Sequence, residues 1–482
     1  MIAVSRWLGW GMMAGLAVLL ILVEPHLSAV LPRGLWDAVG LAETPVRGLA
    51  LVLGLAALLL LLRNRLRRAA DWQSVSLVLL FVTSQLNGIG LGPLDLFDIA
   101  LFGIFFYWLG TSALDENRSF VLPPLIWLAG LIIVIAIAHM PVMNPVSWVL
   151  GLFGLVRVFL LAVLVIDICR TPERLERALQ LFLVVALMSA VVGIAQFCLA
   201  YWNIFFFTLI DPPISAFKPT PVGFVMRASG FCITAQHFSS FLIYALPVAL
   251  WQASNRLSLW SILQIVILLT GIVVSWNTGG MLTALAMLIV FPLLRWPEKL
   301  IHVVLIGMTV LAAAFYAGVL ELVYDATFGD AGVAKGVDQR KTLMELGIEQ
   351  IGLNPIVGSG VRGFGVVDGN FWGRPVHNVL FQVMAELGLI ATLVLLSIFF
   401  VLTVETVRLY NKPGARVFAV YCALALLGVT ILSQSEPNID QSNLWLVLSL
   451  IQASAVVFSR RPEDAPFSEF AAARETRVER LR

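Results

Sequence analysis

Long apolar runs recur along this chain, separated by short polar breaks. Each is close to the roughly 20 residues that an α-helix needs to cross a bilayer. They fall at about 7–30, 46–62, 73–91, 94–113, 122–138, 148–168, 178–202, 230–251, 260–275, 280–295, 300–320, 377–404, 418–434 and 443–458. The pattern predicts an all-α fold, a polytopic transmembrane helical bundle of about 14 spans, range about 12–14. The range comes from 260–275 and 280–295, where Gly279-Gly280 reads either as a turn or as a kink. The bundle takes in 1–458, and 459–482 is a polar, charged stretch expected to form a flexible cytoplasmic tail.

Two connections are long. The first, 203–229, is rich in aromatics and proline and ends in Arg227-Ala228-Ser229-Gly230. The second, 321–376, is too long for a plain connector. Within it, Asp338 to Leu353 reads as a helix, with Asp338 as N-cap and Asn354-Pro355 as its stop. Leu343, Met344, Ile348 and Ile351 give that helix an apolar side, which places it on the bundle or in the membrane interface.

Composition supports the membrane class. The chain is 60% hydrophobic and 12% charged, with mean hydropathy +0.94; soluble domains carry about 25% charged residues. The net charge of +2 conceals an asymmetry among the 31 Lys and Arg. With the N-terminus inside, only Arg33, Arg47, Lys218, Arg227, Lys335, Arg340, Lys341, Arg362 and Arg374 lie in outer loops. The positive-inside rule therefore puts both termini in the cytoplasm. The first apolar run carries Glu24 and His26 and lacks a clear cleavage site, so it reads as an uncleaved helix rather than a signal peptide. Cys169, Cys198, Cys232 and Cys422 are scattered, without metal spacing or a disulfide framework. Nothing points to nucleic acid.

The candidate chemistry lies on the outer side. His377-Asn378 stands where the second long loop enters an apolar run, at a helix N-terminus. There an imidazole is held neutral and able to take a proton from a sugar hydroxyl. The plainer alternative is a histidine that caps the helix or meets lipid headgroups. Asn378 would either bond an acceptor or cap the helix. His237 is the rival base. Arg227, Arg340 and Arg362 are suited to phosphate oxygens, because the guanidinium is a permanent planar fork. A donor on that side would be a lipid-linked phosphate or pyrophosphate; the alternative is that these arginines meet lipid headgroups or loop carboxylates. Gly358-Ser359-Gly360-Val361-Arg362-Gly363 has no βαβ context for a nucleotide. It reads as a backbone cradle for an anion or as a flexible return to the next span. No outer group of Asp, Glu and His has metal-ligand spacing, so neither a metal nor another cofactor is expected. Arg157, inside a span, has Glu386 as candidate partner, since both should lie about 13 Å below their outer ends. Glu386 is about two and a half turns past His377 and so faces away from it. Asp95 and Asp98 sit at a helix start, where carboxylates suit the dipole.

Taken in order, Arg227-Ala228-Ser229-Gly230, Arg340, Asn354-Pro355-Ile356-Val357-Gly358-Ser359-Gly360, His377-Asn378 and Glu386-Leu387-Gly388 resemble the bacterial O-antigen ligase and O-antigen polymerase superfamily. The resemblance is best over about 180–405. It implies an inner-membrane, metal-independent glycosyltransferase working on the periplasmic face. The donor would be an undecaprenyl-pyrophosphate-linked glycan, the acceptor another glycan or lipid A–core, and the surroundings membrane lipids. Ligases of that family transfer to lipid A–core, and polymerases transfer to another lipid-linked repeat. Many members carry Ser-Arg-Gly at the turn after the ninth span, where this chain has Trp276-Asn277-Thr278-Gly279-Gly280. That departure leaves a polysaccharide polymerase open. A transporter or flippase of lipid-linked sugars is the alternative from another class, suggested by Arg157, Glu386 and the break at 276–280.

Overall fold

The computed structural model describes residues 72–86, 90–91, 94–113, 122–138, 145–202, 217–220, 223–255, 257–299, 330–367, 369–370, 375–412, 415–434 and 439–459. The expected spans 7–30, 46–62 and 300–320 lie outside them, as do 203–216 and most of the expected tail. Every other expected span holds a helix. In chain order these are α1 (Trp72–Thr83), α2 (Leu96–Ala113), α3 (Pro124–Ala138), α4 (Pro145–Ile168), α5 (Pro172–Ala200), α6 (Ala235–Asn255), α7 (Leu259–Val274) and α8 (Thr278–Arg295). After α9 (Asp330–Leu353), in the long loop, come α10 (Val379–Tyr410), α11 (Arg416–Leu432) and α12 (Ser442–Ser459). Four of them, α4, α5, α8 and α10, are long and apolar enough to cross a membrane.

Among the described residues the fold is helical apart from two small antiparallel strand pairs. One pairs β1 (Gly90–Leu91) with β2 (Leu94–Asp95). The other pairs β3 (Phe217–Thr220) with β4 (Gly223–Met226), with Phe217 opposite Met226. This second hairpin was not expected in the Pro-rich first loop. Thr220 pairs with Gly223 at its end, and β3 packs on α9.

One apolar core runs through the bundle, centred on fully buried Trp445, Tyr421, Phe81, Phe182 and Phe241. Phe182 meets Phe81 and Phe241 edge-on, at centroid distances of 5.5 and 4.9 Å. Many large apolar side chains, Phe106, Trp127, Leu259 and Phe400 among them, instead point outward. An outer surface of that kind suits lipid, since water would penalise so much exposed apolar area. A second, smaller core joins Leu343 of α9 to Phe364, Val376 and Ala385. It fastens the loop helix to the first turns of α10.

Two details differ from expectation. Helix α9 begins at Asp330, not Asp338. Between α7 and α8 there is a turn, at Ser275–Asn277, with Trp276 in the left-handed region (φ 50). Gly279 and Gly280 lie inside α8, and a Cβ on Gly280 would fall 1.9 Å from Ser239 Oγ. Glycine there allows α8 to press against α6.

Candidate functional site

The site is organised by a break in α10. At Gly388 the backbone leaves the helix (φ 77, ψ −174), a conformation open to glycine and strained for other residues. A break strands carbonyls that normally accept from four residues on. The return loop after α9 takes them up. Ser359 N–H donates to Ala385 O (2.9 Å), and Gly360 N–H donates to Glu386 O (2.7 Å). In the other direction Leu389 N–H donates to Pro355 O (2.9 Å). The approach is close enough that a Cβ on Gly358 would lie 2.4 Å from the Glu386 carbonyl carbon. A Cβ on Gly388 would lie 1.9 Å from Ile356 O. The glycine run is thus fastened rather than slack: the amides of Ser359, Gly360 and Arg362 are spent on α10, and those of Gly358 and Gly363 donate within the loop, to Asn354 O and Gly360 O.

That clasp places Arg362. Its residue is left-handed (φ 56), its N–H donates to Glu386 Oε2 (3.0 Å), and its Nη2 meets Asp440 Oδ2 at 2.6 Å. The Arg362 side chain is about half exposed (47%), whereas Asp440 is largely covered (15%). Helix α4 supplies the seat. A Cβ on Gly151 would lie 2.3 Å from Val361 Cγ1, and one on Gly154 would lie 2.8 Å from Asp440 Oδ2. One turn further along the same face is Arg157.

The expected Arg157–Glu386 pair does not form. Arg157 Nη1 meets Asp95 Oδ2 at 3.3 Å and Asp98 Oδ1 at 3.4 Å, and its Nη2 donates to Asp440 O at 3.3 Å. The guanidinium also lies over the Phe97 ring, 5.6 Å from its centroid. Asp95 and Asp98 are fixed for this by bonding each other's backbone N–H, at 2.8 and 3.0 Å, as a reciprocal cap on α2. Two carboxylates already held beside the guanidinium prevail over one at matching depth. Arg157 and Glu386 belong to the same network, joined through Asp440 and Arg362 rather than to each other.

His237 joins this network. Its Nε2 is 3.1 Å from Gln441 Nε2, the residue after Asp440, and its N–H is held by Thr234 Oγ1 (3.1 Å). His377 lies at the other end of this part of α10, half-buried just before the helix cap. Asn378 is that cap. Its Oδ1 accepts from the N–H of Leu380 (2.9 Å) and Phe381 (3.1 Å), and its Nδ2 donates to Gln434 Oε1 (2.8 Å). Of the two roles open to Asn378, capping is the one its bonds describe.

The other arginines come from separate elements. Arg227 follows β4, and its Nε donates to Ser275 O at the α7–α8 turn (3.2 Å). The turn after it is gripped by buried Gln196 of α5. Gln196 Oε1 accepts from the N–H of Ser229 (3.0 Å) and Gly230 (2.9 Å), and its Nε2 donates to Gly230 O (2.9 Å). Arg340 is exposed on α9, with no ion pair among the described residues. Arg374 lies outside the described residues.

Asp440, Gln196 and the Gly151/Gly154 seat were missed by sequence reasoning. Asp440 had a usable signal, as a carboxylate in the short connection between the last two expected spans, on the outer side of the expected topology. Among the described residues, no group of three or more His, Cys, Asp or Glu is arranged to hold a metal ion. No protein-family model matches this chain, and no curated protein matches it in sequence. By themselves the residues and the fold show a helical protein in which four of the described helices are long and apolar enough to cross a membrane, compatible with a multi-pass membrane protein.

Proposed function

We propose that this protein is an inner-membrane glycosyltransferase of the O-antigen ligase type, transferring a glycan from undecaprenyl pyrophosphate to an acceptor sugar hydroxyl on the periplasmic face. One observation carries the reading. A broken membrane helix has His377-Asn378 at its first turn and Glu386 at its break, and the loop clasping the break holds Arg362 beside Asp440. Arginine and histidine are thereby set on a rigid frame at one end of the bundle, as a phosphate-leaving reaction requires. A repeat-unit polymerase of the same superfamily would use the same parts with a different acceptor.

In this mechanism Arg227, Arg340 and Arg362 bind the donor pyrophosphate. The acceptor hydroxyl oxygen attacks the anomeric carbon as the bond from that carbon to the pyrophosphate oxygen breaks. His377 takes the hydroxyl proton, and the arginines stabilise the charge gathering on the leaving pyrophosphate. The anomeric centre inverts.

A flippase of lipid-linked sugars is the competing reading, favoured by the break at Gly388 beside a buried carboxyl. Full-length protein in vesicles, given a lipid-linked glycan and an acceptor glycan, separates the two. Transfer produces a longer glycan with inverted linkage and free undecaprenyl pyrophosphate. Movement of unaltered donor between leaflets, with no new glycosidic bond, would refute the enzyme reading.

A further inference from the structure

Helix α9 has two faces with different environments. Leu343, Leu346 and Ile351 pack toward α10 in the smaller core. The remaining surface is sorted by chemistry. At about 100° per residue, Arg340, Met344, Ile348 and Lys341 follow one another around the helix, and Glu345 and Glu349 come next. Met344 and Ile348 are exposed, with basic side chains on either side of them. Lys341 and Glu345 form only a loose ion pair at 4.0 Å, each well exposed. An apolar strip edged by Arg and Lys, with carboxylates beyond, is the arrangement of a helix lying in a membrane interface.

The segment after α9 extends the strip. There Ile356 and Val357 are exposed apolar residues; Leu353, the last residue of α9, is exposed as well but on the Glu349 side of the helix. They are not isolated on the molecule. Ile356 O lies against Gly388, and Pro355 O accepts from Leu389 N–H at 2.9 Å. Leu389 and Leu393 begin the outward apolar stripe of α10, a helix long and apolar enough to cross a membrane. The loop's exposed apolar residues therefore lie beside the exposed apolar residues of α10. Part of the local backbone is already satisfied within the protein. Asn354 N–H donates to Gln350 O (3.1 Å), Gly358 N–H donates to Asn354 O (2.9 Å), and Pro355 has no N–H to satisfy.

We propose that α9 and the turn after it are embedded in the bilayer leaflet at the His377 end of α10, with Met344, Ile348 and Ile356 in hydrocarbon and Arg340 and Lys341 at the depth of the lipid phosphates. Glu345 and Glu349 face water. The second long loop is then a membrane-seated platform rather than a water-borne lid. This placement does not depend on the transfer reaction, and either could fail without the other.

Nitroxide labels test it in the full-length protein reconstituted into phosphatidylethanolamine–phosphatidylglycerol vesicles. Exposed Cys198 is first replaced by serine, and the other three cysteines are buried. Single cysteines at Ile356 and Ile348 are labelled, with Glu349→Cys as the water-facing control. The expected result is that oxygen relaxes the labels at 356 and 348 several-fold more than a water-soluble nickel chelate does, with the order reversed at 349. Nickel access exceeding oxygen access at both 356 and 348 would overturn the proposal, and so would shielding of both labels from both reagents, which would mean that protein covers the strip. Using two labelled positions keeps the test open if one variant fails to fold.

Discussion

Arg157 reaches Asp95 and Asp98 because the reciprocal cap of α2 holds both carboxylates beside it. That a cation this far inside a span needs an anion was legible in the sequence. Which anion was not, since counting residues gives depth and says nothing of which helices are neighbours. Arg157→Leu leaves two largely buried carboxylates unpaired and should cost about 3–5 kcal/mol, read as lowered thermal stability in detergent. Adding Asp98→Asn should restore part of the loss, and adding Glu386→Leu should restore none. Rescue by Glu386→Leu alone would reinstate the pair that the structure replaces. Glycine gives a second residue-scale contrast. Gly388→Ala places a Cβ 1.9 Å from Ile356 O at φ 77, and should destabilise by on the order of 3 kcal/mol or more. Gly352→Ala meets nothing within 4 Å and should be neutral or stabilise by up to about 1 kcal/mol. Equal melting shifts for the two alanines would remove the case for a clasped break.

At the scale of elements, hydropathy located the helices well, because burial in lipid or core imposes long apolar runs. It failed where packing overrides local preference. Reading Asp338 as an N-cap started the loop helix too late, since α9 runs from Asp330 through Gly332 and Gly336 despite their low helix propensity. The β3–β4 hairpin was hidden by Pro219 and Pro221, although an edge strand tolerates proline. Arg227-Ala228-Ser229-Gly230 was recognised as a motif, but its support, Gln196 of α5, is far away in sequence. Gln196→Ala would orphan three backbone groups in a buried turn, each worth about 1–3 kcal/mol. Donor binding should weaken along with stability, because the turn positions Arg227. Gln196→Ala with unaltered donor affinity would show that this turn holds no part of the pyrophosphate.

For the whole molecule, the sequence conveyed the class and left the arrangement open. Apolar content alone indicates a membrane protein, but the convergence of α2, α4, α10 and the Asp440 turn on one cluster exists only in three dimensions. Orientation can be checked independently of chemistry. In a background lacking Cys198, Gly369→Cys should react with a membrane-impermeant maleimide added outside intact cells, and Asn411→Cys should react only after permeabilisation. The reverse would invert the bundle and take the periplasmic reaction with it.

The most direct test of the account is the initial rate of glycan transfer by reconstituted His377→Ala protein, compared with wild type and His237→Ala. The expected rate for His377→Ala is lower by about 10²–10⁴-fold, the usual contribution of a general base, with lipid pyrophosphate still bound. His237→Ala, which removes a side chain bonded to Gln441, should retain most of the wild-type rate. Near-normal transfer by His377→Ala alongside an inactive His237→Ala would contradict the account and move the base to the Asp440 cluster.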